Sequence, residues 1–464
     1  MINYYGNDIP WVPSLDESGK PLYVQIAESI EKDIASGLLP YGSRLPPQRI
    51  IAGYLNITHS TVTRAYQLCE ERGLIKGTIG RGTFVCSAAG VPQDLLEQNK
   101  PRTIEMGAVL PLYEINSLAE SSIRNLFPLI DFPGSLRYSP PEGYPKHRQI
   151  AANWLQGYGI RAGFDNILIT SGSQNAISVL MMGVFSRGDR IAVDLYVYPE
   201  FKNLASYLGI ILIPIRGDPY GMLPDELALA CQRDKIKGVY LIPEHQNPTG
   251  ITMPMSRREA LAAIIRQNDL LLIEDGMFHF IKGLRAPVSS LIPERSFYIH
   301  GTTKALVPSL RIAYLCAPQP YVPTLIRVVH NLLWLTSPLN AELMSLMIAN
   351  GEYDRILMQK LDRLRQRNEI CQEILQDYLE DTAEPAMFRY LVLPHGWDDT
   401  EIERDCLSHG VQIFGNKRFA VGSAAGESAL RIALSSPESP EQLRHGLEII
   451  RNVLIEHGSS RISF

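Results

Sequence analysis

Apolar residues recur every four positions at Leu22, Ile26, Ile30 and Ile34, a spacing that predicts an amphipathic helix from about Pro21 to Ser36-Gly37. After Gly42-Ser-Arg44-Leu-Pro-Pro-Gln-Arg49 a short helix is predicted through Ile50, Ile51, Ala52, Tyr54 and Leu55. Asn56-Ile57 reads as a turn, Thr58 or Ser60 as a cap, and Val62, Ala65, Tyr66 and Leu68 as the buried stripe of a third helix ending at Arg72-Gly73. Leu74–Gly77 and Thr83–Val85 then flank Gly80-Arg81-Gly82, a turn suited to a β-hairpin. Helix, helix, turn, helix, hairpin over residues 15–86 is the plan of a winged helix-turn-helix, an α+β unit. Residues 1–19 read as polar and loose, and residues 87–103, rich in small and polar types, as a linker.

From 104 onward the pattern changes. Short apolar runs at Ile167–Thr170, Gly238–Ile242 and Leu270–Glu274 alternate with helical periodicity, which predicts an α/β part over about 104–345. Long apolar helices follow between Pro318 and Asn350 and a charged amphipathic one from Lys360 to Leu379. Segments at 387–394, 410–420 and 430–436 and a helix from Pro440 to His457 predict a smaller α+β part over about 350–464.

The totals narrow the function classes. A chain of 464 residues, 45% hydrophobic and 20% charged, has material for several cores. Its net charge of −5 excludes a wholly basic nucleic-acid-coating protein. Between 41 and 85, however, Arg44, Arg49, Arg64, Arg72, Lys76 and Arg81 face only Glu70 and Glu71, a local excess of four positive charges, which is an electrostatic footprint for phosphates. The six cysteines include no Cys-x-x-Cys pair, so neither a metal site nor a disulfide framework is suggested, and a reducing cytoplasm fits. No run approaches the ~18 apolar residues of a membrane span.

Candidate chemistry lies in the α/β part. Lys304 follows the strand-like run Tyr298-Ile-His-Gly-Thr-Thr and precedes Arg311 by seven positions. A lysine brought inward is costly as an ammonium, and its depressed pKa makes it an amine able to form a Schiff base. Asp275 ends a buried-strand run, where ligands of open α/β sheets bind. Asn247 heads the turn Asn-Pro-Thr-Gly250, and Ser171-Gly-Ser173-Gln174 lies between a strand and a helix start, a site for an anion. Each has a plainer reading as a surface lysine, a cap, a turn former or a solvated charge.

In this order and spacing, residues from about 104 to 464 resemble a fold-type I aminotransferase domain dependent on pyridoxal 5'-phosphate. The resemblance implies that Lys304 carries the Schiff base, that Asp275 pairs with the pyridinium nitrogen and that Asn247 donates to the ring 3-oxygen. It implies that Ser173, Gln174, Thr302 and Arg311 hold the phosphate, that Tyr198 stacks on the ring and that Arg431 clamps a carboxylate. Tyr138 matches a tyrosine that reaches the phosphate from the partner subunit, which implies a homodimer. One departure is Met277, where relatives carry a tyrosine that donates to the 3-oxygen; poorer transamination with retained cofactor binding is expected, and His279 is a candidate substitute.

The wording Arg44-Leu-Pro-Pro-Gln-Arg49, Thr61-Val-Thr-Arg64-Ala-Tyr66, Glu71-Arg-Gly-Leu-Ile75 and Gly80–Val85 resembles the GntR-type winged helix. That resemblance implies that Arg44 and Arg49 meet the DNA backbone or groove, that Ser60, Thr61, Thr63 and Arg64 line the recognition helix and that Arg81 tips the wing. The fusion, with His245-Gln246 before the Asn247 turn, resembles the MocR/GabR branch of the GntR family. It implies a cytoplasmic, pyridoxal-phosphate-dependent transcriptional regulator that binds double-stranded operator DNA and senses an amine, an amino acid or the cofactor itself. The alternative is an active aminotransferase with an accessory DNA-binding head.

Overall fold

The computed structural model describes residues 11–15, 20–35, 38–39, 43–71, 74–78, 82–85, 103–281, 285–379, 384–422 and 427–459. The chain divides into two compact units, Met1–Leu95 and Leu96–Phe464.

In the first unit α1 (Leu22–Ala35), α2 (Gln48–Leu55) and α3 (His59–Glu71) precede an antiparallel hairpin of β1 (Ile75–Thr78) and β2 (Gly82–Val85). Ile26, Ile30 and Ile34 of α1 are buried with Ile51, Val62, Ala65, Tyr66, Ile75 and Val85 in one core, so the four-residue spacing marks the inward face. Leu22, at the open end of α1, is exposed. The Tyr66 hydroxyl donates to the Pro46 carbonyl at 2.8 Å and ties α3 to the segment ahead of α2. Trp11 departs from the loose N-terminus expected: its indole body is buried in this core and its Nε1–H donates to Asp33 Oδ2 at 2.9 Å. The predicted linker 87–103 and the wing tip with Arg81 lie outside the described residues, except for Thr103.

The second unit is built on a seven-stranded sheet in the order Ile167–Thr170, Ala313–Cys316, Ser296–Gly301, Leu271–Asp275, Gly238–Leu241, Arg190–Asp194, Ile211–Ile215. Ala313–Cys316 runs antiparallel to both neighbours and the other pairings are parallel. The central strands are buried along their whole length, which is why they read as unbroken apolar runs. Because they are parallel, Asp275 and Gly301 come to the same edge of the sheet. A smaller layer holds the antiparallel strands Phe388–Val392, Ala429–Ala433 and Phe414–Gly415, with the helices Glu352–Leu375 and Pro440–Ser459 in contact with each other. Ile104–Glu105 pairs in parallel with Val411–Gln412. The opening residues thus belong to the small layer, since Ile104 and Met106 are buried with Ile402, Val411 and Leu447.

One buried ion pair braces the loop after Gly238–Leu241. Arg258 Nη2 meets Glu244 Oε1 at 2.6 Å, and the same guanidinium donates to the carbonyls of Met253 and Ala286 at 3.0 and 3.1 Å. Burial pushes the Glu244 carboxyl up to about 7 against the pull of Arg258. Removing one partner of such a pair strands the other charge. Arg258→Met should therefore lower stability by about 3–5 kcal/mol, seen as a lower denaturant midpoint at unchanged slope.

Candidate functional site

Asp275 stands at the end of its strand with both oxygens engaged. Oδ1 accepts from the Met277 N–H at 3.0 Å and Oδ2 from the Tyr240 hydroxyl at 3.1 Å. Burial raises its pKa to about 6 against these two hydrogen bonds, so a cation placed beside it would be held strongly. Tyr240 is itself fixed by stacking on Phe201 at 3.9 Å.

Lys304 lies half-buried in the turn after Ser296–Gly301, its Nζ donating to the Val109 carbonyl. Burial first, then the charges of Arg431 and Arg311, lower its pKa from 10.5 to about 8, with Glu200 opposing. A second lysine, Lys360, is buried and donates to the Leu306 carbonyl two residues further on. Sequence reading placed Lys360 on a charged helix and missed this inward role.

Asn247 and Arg431 meet directly. Arg431 Nη1 donates to Asn247 Oδ1 at 2.5 Å, which leaves Asn247 Nδ2 as the donor end of the amide. Arg431 Nη2 donates to the Gly107 carbonyl, and Nε is buried without a partner. The rings of Phe419, Phe414 and Phe388 pack around the guanidinium at 4.6, 5.5 and 5.6 Å. Burial lowers the pKa of Arg431 to about 9. Gln246 locks the turn: its Nε2 donates to the Tyr196 carbonyl at 2.7 Å and its Oε1 accepts from the Thr249 hydroxyl at 2.6 Å.

A third cluster forms where the helix Ser173–Val184 begins. Arg311 Nη2 donates to the Ser171 carbonyl at 3.2 Å. Gly172 has φ +85° and an added Cβ would lie 2.7 Å from Arg311 Nη2, so only glycine fits. A Cβ on Gly301 would fall 2.1 Å from Ser173 Oγ, which places that hydroxyl against the end of the Lys304 strand. Gln174 Oε1 is buried without a partner. Thr302 turns inward instead, its hydroxyl donating to the Ile312 carbonyl at 2.7 Å. Tyr198 directly precedes the helix Pro199–Leu208, and burial raises its hydroxyl pKa, with Glu200 adding to the shift.

Two expected residues sit apart from this cluster. Tyr138 is 79% exposed, its ring 5.7 Å from that of Trp334. His279, the candidate substitute for the tyrosine, has both ring nitrogens engaged: its Nδ1 pairs with the Tyr298 hydroxyl at 2.8 Å and its Nε2 with the Arg285 carbonyl at 3.2 Å.

In the winged unit Arg44, Arg49, Ser60 and Arg64 are exposed. Arg64 rests on the Tyr23 ring at 4.0 Å, and Arg44 lies against Gly82 of the hairpin. Thr61 is half-buried and bonded to Thr58 at 2.8 Å. Thr63 is half-buried, its hydroxyl within reach of Gln48 Oε1 at 2.9 Å and of the His59 carbonyl at 3.0 Å. His59 and Gln67 share the exposed surface of α3 and were not singled out from the sequence.

The fold and site define a winged helix-turn-helix unit joined to an aminotransferase-fold unit. Residues 106–450 match the family described as aminotransferase class I and II, and residues 22–85 the bacterial regulatory proteins of the gntR family. The chain is 34% identical over 456 residues to the uncharacterized HTH-type transcriptional regulator YdeF of Bacillus subtilis strain 168, covering 98% of this chain and 99% of that protein. It is 26% identical over 368 residues to the HTH-type pyridoxine biosynthesis transcriptional regulator PdxR of Corynebacterium glutamicum, covering 76% and 78%. Among solved structures, an archaeal alanine:glyoxylate aminotransferase aligns with a TM-score of 0.71 at 24% identity over 78% of this chain and 93% of that one, a likeness of fold alone. The chain belongs to the MocR/GabR-type branch of the GntR family, in which a GntR winged helix is fused to a fold-type I aminotransferase-like domain.

The lowered pKa of Lys304 has a pH signature. Below about 8 the amine is protonated and loses nucleophilicity roughly tenfold per pH unit. Attack of Lys304 on an aldehyde such as pyridoxal phosphate should therefore accelerate with pH up to about 8 and level off above it, whereas an ordinary lysine keeps gaining up to about 10.5. Stopped-flow absorbance against pH, with Lys304→Ala as the control, measures this profile.

Proposed function

We propose that this chain is a transcriptional regulator whose GntR-type unit binds operator DNA and whose aminotransferase-like unit binds pyridoxal 5'-phosphate and responds to an amine, an amino acid or the cofactor itself. The observation that carries this reading is the convergence of Lys304, Asp275, Asn247 and Arg431 with the Ser173–Arg311 cluster, in the same chain as an exposed arginine-bearing α3.

The donor set fits the cofactor. Arg311, Ser173 and a helix start suit a phosphate, the buried Asp275 suits a protonated ring nitrogen, and Lys304 supplies an amine. When bound, the cofactor supplies an aldehyde that captures amines. Asp275 would hold a proton on the ring nitrogen, because a buried carboxylate favours a cationic neighbour. Asn247 Nδ2, aimed by the Arg431 contact, would donate to the ring oxygen. Arg431 would grip an effector carboxylate, for which its unpartnered Nε and planar fork are suited. Tyr198 would cover one ring face.

A homodimer is part of the proposal. Phe127, Leu129, Leu136, Tyr138, Leu333 and Trp334 are exposed on the second unit, and large apolar side chains left to water are what a subunit interface would cover. Tyr138 and Trp334 are in contact within that set.

The test is absorbance of the purified chain with and without pyridoxal phosphate, then with a panel of amines, alongside its affinity for a duplex selected from a random-sequence library. A visible band in the wild type that is lost in Lys304→Ala, with an amine that changes DNA affinity, is the expected result. Keto-acid release at enzymatic turnover rates would establish the aminotransferase alternative instead. Arg49→Ala should weaken binding to every duplex alike and reduce the slope of log affinity against log salt by about one. An unchanged slope would remove Arg49 from the phosphate contacts.

A further inference from the structure

The residues that follow the linker are built into the same site. Residues 86–102 join Val85, the last residue of β2, to Thr103. Beyond Thr103 the Ile104 and Met106 N–H groups donate to the carbonyls of Gly410 and Gln412, each at 2.8 Å, and the Met106 carbonyl accepts from the Ala433 N–H at 2.7 Å. Ala433 belongs to the strand that carries Arg431. Glu105 Oε1 then accepts from the N–H groups of both Gly107 and Ala108 at 2.6 Å and folds the chain into a tight bend.

That bend aims two carbonyls, on alternate residues, at two cationic groups of the site. The Gly107 carbonyl accepts from Arg431 Nη2, and the Val109 carbonyl from Lys304 Nζ. Gly107 cannot carry a side chain, because a Cβ would lie 2.6 Å from the ring of Phe414, one of the three rings around Arg431. Two serines complete the attachment. Ser435 Oγ donates to the Leu110 carbonyl at 2.5 Å, while Ser436 Oγ donates to the Ala108 carbonyl and accepts from the Leu110 N–H at 2.9 Å.

We propose that residues 103–110 are a transmission strap: ligand engagement of Lys304 and Arg431 changes the hold on Val109 and Gly107, and this change passes along the chain to the winged unit. The inference rests on the sensor reading above and adds the route by which that site is read. Capture of an aldehyde by Lys304 Nζ forms a C=N bond and releases the carbonyl oxygen as water. The nitrogen keeps at most one hydrogen where an ammonium has three, so its bond to Val109 is lost or weakened. A carboxylate on Arg431 takes two adjacent N–H groups, one of them on an Nη nitrogen that also serves Gly107 or Asn247. The strap is a two-residue strand anchored by the buried Ile104 and Met106 and by these hydrogen bonds, so the contacts at Gly107 and Val109, beyond the buried anchor, are the part of its hold that a ligand can change. Coupling of this kind needs a contiguous physical element that both ends bias. Here the strap is that element, and the covalent chain joins it to the winged unit.

Hydrogen exchange on the full chain tests the proposal. Saturating pyridoxal phosphate should speed exchange of the amides of residues 104–110 by roughly tenfold or more, while peptides from the core of α1 remain unchanged. In a Ser435→Ala, Ser436→Ala double variant the visible band should persist, but the change in affinity for the library-selected duplex on adding cofactor or amine should fall below about twofold. A visible band with no change in exchange at 104–110 overturns the strap and leaves the sensor reading intact, as does a wild-type DNA response in the double variant. Absence of the band from the wild-type protein brings down the sensor reading, and the strap with it. Should the double variant fail to fold, the wild-type exchange measurement decides alone.

Discussion

Removal of charge from water is the constraint on which the second unit depends. Asp275, Lys304 and Arg431 are each displaced toward their neutral forms, to about 6, about 8 and about 9, and burial is the first cause in every case. Desolvation of this kind is unfavourable unless each group is given partners. The sheet supplies the apolar wall, with Ile273 and Ile299 buried beneath the strand ends. The partners are then specific: a phenol and an amide for Asp275, a backbone carbonyl for Lys304, and an amide oxygen, a carbonyl and three aromatic rings for Arg431. Low dielectric strengthens each of these contacts, and it would equally strengthen contacts with a ligand of opposite charge.

Parallel strands explain why so much of this was legible in the sequence. A strand buried on both faces must be apolar throughout, so an acid at its end is conspicuous, and Asp275 could be placed from Leu270–Glu274 alone. The turn after Gly238–Leu241 and the helix start at Ser173 were visible for a similar reason, as small or polar residues interrupting an apolar run. In the winged unit the four-residue spacing of α1 found the buried face, because an amphipathic helix packed on one side has no other way to hide it.

What was not legible falls into two physical kinds. Some residues carry a side chain whose type says nothing about its direction. Tyr240 reads as strand packing, yet its hydroxyl reaches Asp275; Lys360 reads as a solvated helix charge, yet it points inward to Leu306. Thr302 and Thr63 read as site hydroxyls, but each found a nearer acceptor, the Ile312 carbonyl and Gln48. Other contributions come from the backbone, and a carbonyl has no residue signature. Nothing in Gly107 or Val109 announces a contact with Arg431 or Lys304. Nor does a two-residue strand such as Ile104–Glu105 have enough length to show a period.

Met277 bears on whether the proposed site would turn a ligand over or only hold it. Its backbone N–H serves Asp275, while its side chain packs against the core and can donate nothing. His279, two residues on, is committed elsewhere, joined through the Tyr298 hydroxyl to His300 at 3.2 Å. Burial lowers the two imidazoles to about 4 and about 3, so they are neutral packing groups near pH 7. On the proposed reading, the groups that would hold a phosphate, a ring nitrogen and a carboxylate are present, while Met277 offers no side-chain donor to a ring oxygen. The sensor role proposed above requires only the first set, since holding a ligand needs no proton donor at the ring oxygen.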